Sequence, residues 1–225
     1  MNKVVDIEKA VSVVKSGDSI MFGGFEHVGS HRNLIAALSK TDVKDLRVIA
    51  DDAGCTARGF SQTFNSLIEN GQVSAIKCCF LGMNPQVGRM YMDGKMDVEF
   101  IPMGTLADRI RAGGSGMGGF YTKTGVGTLV EEGKETKIIN GEKYLLELPL
   151  RANVAFVKAY KADKYGNAIF KYTANNFNSV MATAADTVVL EVEELVELGE
   201  IAPDQVQLPG VFIDYVVECK EVVLS

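Results

Sequence analysis

Apolar residues along this chain fall into two rhythms that take turns from the first residues onward. Val4 to Val14 sets Ile7, Ala10, Val11 and Val14 at helical spacing, and Gly17 follows as a C-cap would. The short run Ile20 to Phe22 reads as a buried strand, and a helix is predicted from about Asn33 with Leu34, Ile35 and Leu38 on one face. Leu46 to Ala50 is the next strand. Phe60, Phe64, Leu67 and Ile68 mark a helix closed by Asn70-Gly71, and Val73 to Leu81 returns to strand. Asn84-Pro85 starts a helix with Asn as cap and Pro in the first turn, and Gly94 ends it. Val98 to Ile101 is a strand, and Thr105 to Ala112 a short helix. The alternation predicts an α/β fold: an open, largely parallel sheet with helices on both faces.

The rhythm breaks after Ala112. Residues 113 to 133 are rich in Gly and Thr and read as an ordered insertion. Tyr144 to Leu148, Val154 to Ala159 and Ala168 to Lys171 are strand-like. Phe177 to Ala185 is helical, and Thr187 to Val192 and Val211 to Val217 are strands. Glu191, Glu193, Glu194 and Glu197 read most simply as a solvated face. No repeat or linker interrupts residues 1–225, which are taken as one domain.

At 225 residues the chain has ample length for a buried core. A net charge of −6, with no basic, aromatic-interleaved stretch, argues against nucleic acid as the main partner. Cys55, Cys78, Cys79 and Cys219 form no CxxC pair and read as reduced core residues of a cytoplasmic protein. Neither a signal-peptide segment nor a membrane-length apolar run is present, so no membrane partner is expected.

The candidate chemistry starts at Asp18-Ser-Ile-Met-Phe-Gly-Gly-Phe-Glu-His-Val-Gly29. Here a buried strand ends in a bare turn facing a helix start, the place where ligands sit in open α/β sheets. Gly23 and Gly24 leave room for a ligand or for another part of the chain, and a tight turn without ligand fits equally well. Other motifs fail on context. Gly114-Ser-Gly-Met-Gly-Gly119 fits G-x-G-x-x-G but follows a helix instead of a strand. His27 and His31 stand four apart, yet Gly29-Ser30 between them breaks a helical metal pair. No Gly-x-Ser-x-Gly elbow leads into a helix. Glu69-Asn70-Gly71 could hold a nucleophile at a turn, but reads better as a capped helix end.

Several stretches together resemble the A (alpha) subunit of family I CoA-transferases, the acetoacetate, butyrate and acetate type 3-oxoacid enzymes. They are Ile20-Met-Phe-Gly-Gly-Phe with Gly29, Gly104-Thr-Leu-Ala-Asp-Arg-Ile-Arg-Ala-Gly-Gly114, Phe120-Tyr-Thr-Lys-Thr-Gly-Val-Gly-Thr128, Asn175-Asn-Phe-Asn178 and Thr187-Val-Val-Leu-Glu-Val-Glu193. The resemblance covers nearly the whole chain. It implies the CoA-transferase type of α/β fold and a beta-subunit partner in an α2β2 complex or a multiple of it. It also implies a ping-pong reaction through a glutamyl-CoA thioester, with the catalytic glutamate on the beta subunit in a Ser-Glu-Asn-Gly motif. Glu69-Asn-Gly lacks that context, so no catalytic residue is expected in this chain. Coenzyme A is implied as substrate, with no permanently bound cofactor and no metal. This chain would wall the acyl pocket with Gly23, Gly24, Phe25 and Glu26, facing Asn84, Met103 and Gly104.

Within that resemblance the pocket departs from the family pattern. Glu26 stands at a site usually small or apolar, Met103 where Gln is common, Asp51-Asp52 where an Asn pair is frequent, and His31 where proline is usual. Loss of the amide at 103 and gain of carboxylates argue against acetoacetate as the preferred acid. Two readings of the carboxylates stand side by side. Glu26 with Asp51 or Asp52 recognises the ammonium of an amino-acyl substrate, or these groups form ion pairs with Arg32 or Arg58, the commoner arrangement. A hydrolase or lyase and a non-catalytic CoA-binding subunit are the alternatives on the same scaffold.

Overall fold

The computed structural model describes residues 2–56 and 64–219. The alternating half of the chain forms α1 (Ile7–Val11), β1 (Ser19–Phe22), α2 (Arg32–Leu38), β2 (Leu46–Ile49), α3 (Asn65–Glu69), β3 (Val73–Cys78), α4 (Pro85–Met92), β4 (Asp97–Phe100) and α5 (Met103–Gly114). Next come β5 (Phe120–Thr122), β6 (Thr136–Ile139) and β7 (Glu142–Glu147), followed by β8 (Ala152–Asp163), β9 (Ala168–Ile169), α6 (Asn176–Ala182), β10 (Ala185–Val196) and β11 (Tyr215–Glu218).

The main sheet runs β11-β10-β8-β1-β2-β3-β4, all parallel, with β9 antiparallel on β8. β1 lies at its centre, with Ile20 opposite Val48 of β2 on one side and Val154 of β8 on the other. From β1 the chain winds outward to β4, then crosses back to lay β8 against β1. The border between β1 and β8 is therefore the topological switch point, where crossing connections leave a crevice at the strand ends.

Alternate residues of the strands feed two cores. Ile20, Phe22, Val48 and Phe156 join Leu34 and Leu38 of α2, Leu67 of α3 and Val87 of α4 on one face. Met21, Ile49, Ala155 and Val157 join Leu106 and Ile110 of α5 and Phe177 and Met181 of α6 on the other. The expected open parallel sheet, covered on both faces, is the architecture observed.

Several expectations need correction. The first helix spans only Ile7–Val11, because Val4 bridges to Val216 and extends the sheet edge beside β11. Asp6 caps it by accepting from the Lys9 N–H at 2.7 Å. The predicted strand from Val211 is a 3-10 turn, Gly210–Phe212, followed by the shorter β11. Gly210 starts that turn under the Tyr165 carbonyl, which would lie 2.7 Å from an added Cβ. The glycine-rich insertion contributes β5 to a three-stranded antiparallel sheet, β5-β7-β6, and β6 was not foreseen. Glu191 is not solvated: it is fully buried under α2. Phe60, expected in the third helix, lies outside the described residues.

The small sheet is tied to the main one through Arg109 of α5. Its guanidinium donates to Glu99 on β4 at 2.7 Å and to the Leu148 carbonyl at 2.8 Å, and lies 3.8 Å from Glu147 on β7. Lys134 pairs with Glu147, and Lys77 with Glu99. Among the described residues no helix is long and apolar enough to cross a membrane.

Candidate functional site

β1 ends at Phe22 and delivers Gly23 and Gly24 to the switch point. What approaches Gly23 is a side chain of the same chain. A Cβ there would lie 2.1 Å from Asn178 Oδ1, and one at Gly29 would lie 2.6 Å from Asn178 Nδ2. Asn178, wholly buried on α6, accepts from the Lys158 N–H at 2.9 Å and donates to the carbonyls of Gly29 (3.1 Å) and Ala174 (2.8 Å). It thus pins β8, the glycine turn and α6 together. Gly24 adopts φ +111, a conformation strained for any residue with a Cβ, while its own turn crowds it through the Val28 carbonyl. In the sequence Asn178 stands out only as part of the family-like motif; the local signal is the asparagine cluster Asn175-Asn-Phe-Asn178.

Phe25 and Val28 exchange backbone hydrogen bonds of 3.0 and 2.9 Å, which closes a two-residue turn over Glu26 and His27. Glu26 holds φ +50, a rare conformation for a residue other than glycine. Its N–H donates to Asp51 Oδ2 at 3.1 Å, and its carboxylate lies 3.9 Å from His27 Nδ1. Phe25 packs on the α5–α6 core.

Asp51 and Asp52 follow β2, both buried. Asp52 Oδ1 accepts from the Gly54 N–H at 2.7 Å, and Asp52 Oδ2 has no partner among the described residues. Burial, and then the charge of Asp52, pushes the Asp51 carboxyl up to about 7. Burial likewise raises Asp52, with Glu26 adding to the rise and His27 opposing it. His31, which precedes α2, is 1% exposed and packs on Phe22 at 5.2 Å, with no partner for either ring nitrogen among the described residues. Burial pushes it down to about 3, with the charge of Lys158 adding, so the ring is neutral. Gly23, Glu26, His31, Asp51 and Asp52 line one small cavity together with Phe64.

The structure does not bring every expected pocket residue to that cavity. Asn84 is wholly buried, and its side chain is occupied: it caps α4 by accepting from the Val87 N–H at 3.2 Å and donates to Ala53 and Asn65. Met103 and Gly104 open α5 after β4, on the same edge of the sheet, but three strands away from β1, about 14 Å by strand spacing. Met103 is 38% exposed, and nothing within 4 Å would meet a Cβ on Gly104. Glu69 ends α3, with Asn70 as cap and Gly71 at φ +68, and accepts from Asn65 at 2.6 Å. The capped-end reading holds.

Arg32 lines a neighbouring cavity of about 290 Å³, with Lys158, Tyr160, Lys171 and Glu193. Lys158 lies 3.2 Å from Glu193 and 3.7 Å from Glu191. Arg58 lies outside the described residues. Glu191, on β10, accepts from the N–H groups of Asn33 and Leu34 at 3.1 and 3.0 Å and from Asn33 Nδ2 at 3.0 Å, so it satisfies the first amides of α2. Sequence reasoning missed this role. A glutamate inside the apolar run Val188-Val-Leu-Glu-Val192 was the available signal.

Residues 4–219 match the model of the coenzyme A transferase family. The chain belongs to that family. It is 42% identical over 219 residues to the acetate CoA-transferase subunit alpha of Escherichia coli, covering 97% of this chain and 98% of that protein. It is equally 42% identical, over 217 residues, to the acetoacetyl-CoA:acetate/butyrate CoA transferase alpha subunit of Clostridium acetobutylicum, covering 96% and 98%. In fold this coenzyme A transferase alpha subunit is similar to an acyl-CoA transferase of Escherichia coli crystallised as a thioester complex with CoA. There the TM-score is 0.86 at 20% identity. All of this chain is covered but only 49% of the other, so it spans about half the length of that structure.

Proposed function

We propose that this chain works with a beta subunit, as an α2β2 complex or a multiple of it, to move CoA between a short-chain acyl-CoA and a carboxylic acid in the cytoplasm. One observation carries this reading. The chain matches separate alpha subunits end to end, yet spans about half of a transferase that is a single longer chain. The subunit names of those relatives support a beta-subunit partner.

A glutamate of the beta subunit supplies the nucleophile in this reading. Its carboxylate attacks the thioester carbonyl, which forms an acyl-glutamyl anhydride and expels CoA thiolate. The thiolate attacks the glutamyl carbonyl, releases the first acid and leaves a glutamyl-CoA thioester. The acceptor carboxylate then displaces CoA to form a new anhydride, and the thiolate returns to the new acyl carbonyl. Bond for bond the exchange is balanced, and neither ATP nor metal enters. Coenzyme A is a substrate throughout. The alpha subunit contributes the wall of the acyl site: the turn of Gly23, Gly24, Phe25 and Glu26 at the switch point, with Met103 and Gly104 at the far side of the same edge. Binding of the remote CoA tail helps to hold the reacting carbonyl in place.

Exchange of CoA between labelled acyl-CoA and a panel of short acids, read by mass spectrometry, tests this. Exchange by the co-purified pair, and none by either chain alone, is expected. Exchange by this chain alone, or release of free CoA without transfer, would contradict it.

A further inference from the structure

The small cavity between the ends of β1 and β2 has an unusual wall. Three carboxylates, from Glu26, Asp51 and Asp52, face it together with the imidazole of His31. Asp51, Asp52 and His31 are each at least nine-tenths buried. Carboxylates are costly to remove from water unless a cation or donors face them, and a buried polar atom without a partner adds to that cost. Yet Asp52 Oδ2 and both nitrogens of His31 have no partner among the described residues. The His31 nitrogens are an observation independent of the acidic cluster: a neutral ring in the same wall with an acceptor to spare. The cavity itself is about 10 Å³, room for the centre of one water-sized group.

These features describe the complement of an ammonium head. It is water-sized, carries one positive charge, and points three donors at surrounding acceptors. A guanidinium is too large for the space. A coordinated metal ion is disfavoured by geometry, since no three His, Cys, Asp or Glu side chains among the described residues converge as metal ligands. A hydrogen-bonded cation tolerates longer and looser spacing than a coordinated metal does. Gly23, at the switch point, lines the same space, and the half-exposed Glu26 connects it to solvent.

We infer that this cavity receives the ammonium group of an amino-substituted acyl substrate, held by Glu26, Asp51 and Asp52 with His31 as a neutral acceptor. The inference rests on the transferase reading above and narrows its substrate class. Propionate is paired with 3-aminopropionate, and butyrate with 3- and 4-aminobutyrate, as CoA acceptors for the co-purified α and β subunits. For at least one pair the amino acid is expected to have the higher kcat/KM, by about tenfold to a hundredfold, the range of a charge-assisted contact. Asp52→Asn and the solvent-side Glu26→Gln should each lower that amino-to-plain ratio, a readout that a general loss of activity does not move. Exchange that favours the plain acid in every pair would overturn the ammonium site and leave the transferase standing. An amino preference unmoved by either substitution would also overturn it. No exchange with any acid would overturn both.

Discussion

Asp51 and Asp52 show what a buried acid pair does when placed at the end of a parallel strand. Burial and mutual repulsion favour the protonated form of Asp51 in the folded protein. Below pH 3.8 folded and unfolded chains both hold the proton. Between 3.8 and about 7 only the folded chain does, so this group lowers stability as pH rises through that window and has no further effect above it. Asp51→Asn keeps an acceptor for the Glu26 N–H but removes the charge. Its gain in stability over the native protein should be near zero at pH 4 and reach of order 2 kcal/mol, roughly 4–8 °C in Tm, by pH 8. Thermal melts across that range check it; a gain independent of pH would show that the carboxyl is not held neutral. Glu191 is the contrasting case, a buried acid surrounded by donors, where three N–H groups and Lys158 oppose the rise caused by burial.

At the scale of elements, several glycines are packing devices. Gly113 and Gly114 end α5 where it meets the rest of the fold: a Cβ at Gly113 would lie 1.9 Å from the Leu150 carbonyl oxygen, and one at Gly114 would lie 2.2 Å from Thr183 Oγ1. Gly113→Ala forces backbone apart and should cost about 2 kcal/mol or more in urea unfolding; a loss under about 0.5 kcal/mol would mean that α5 shifts freely. The G-x-G-x-x-G match that begins at Gly114 is thus a helix end followed by a small sheet. The strand and helix sequence of the main sheet was legible because apolar period and fold agree from β1 to α5. Its failures have local causes. Val4 could not be told from a helix residue until β11 was beside it. β6 was missed although Ile138-Ile139-Asn140-Gly141 is a hairpin signal, and Asn140 and Gly141 take φ +52 and +80 as such a turn requires. The site was legible as a place, the Gly23-Gly24 turn, but not as a constellation. Asp51 and Asp52 come from the connection after β2 and His31 from the connection after β1, and only the sheet brings them together.

The whole molecule carries an asymmetric surface. Main-sheet strands are covered by helices on both faces, whereas the sheet of β5, β6 and β7 hangs from α5 through Arg109 and carries the exposed apolar side chain of Ile138. The chain spans about half the length of the acyl-CoA transferase structure it resembles in fold. Glu69, which resembles part of the family's nucleophile motif, is a helix-end residue hydrogen-bonded to Asn65. The central claim is therefore a division of labour: this subunit shapes the acyl site and its partner bears the covalent intermediate. Mass spectrometry of the co-purified α and β chains, after incubation with acyl-CoA in the absence of acceptor acid, tests it most directly. The account predicts a CoA adduct on a glutamate of the beta subunit and an unmodified alpha subunit. A CoA adduct on this chain, at Glu69 or elsewhere, would contradict it.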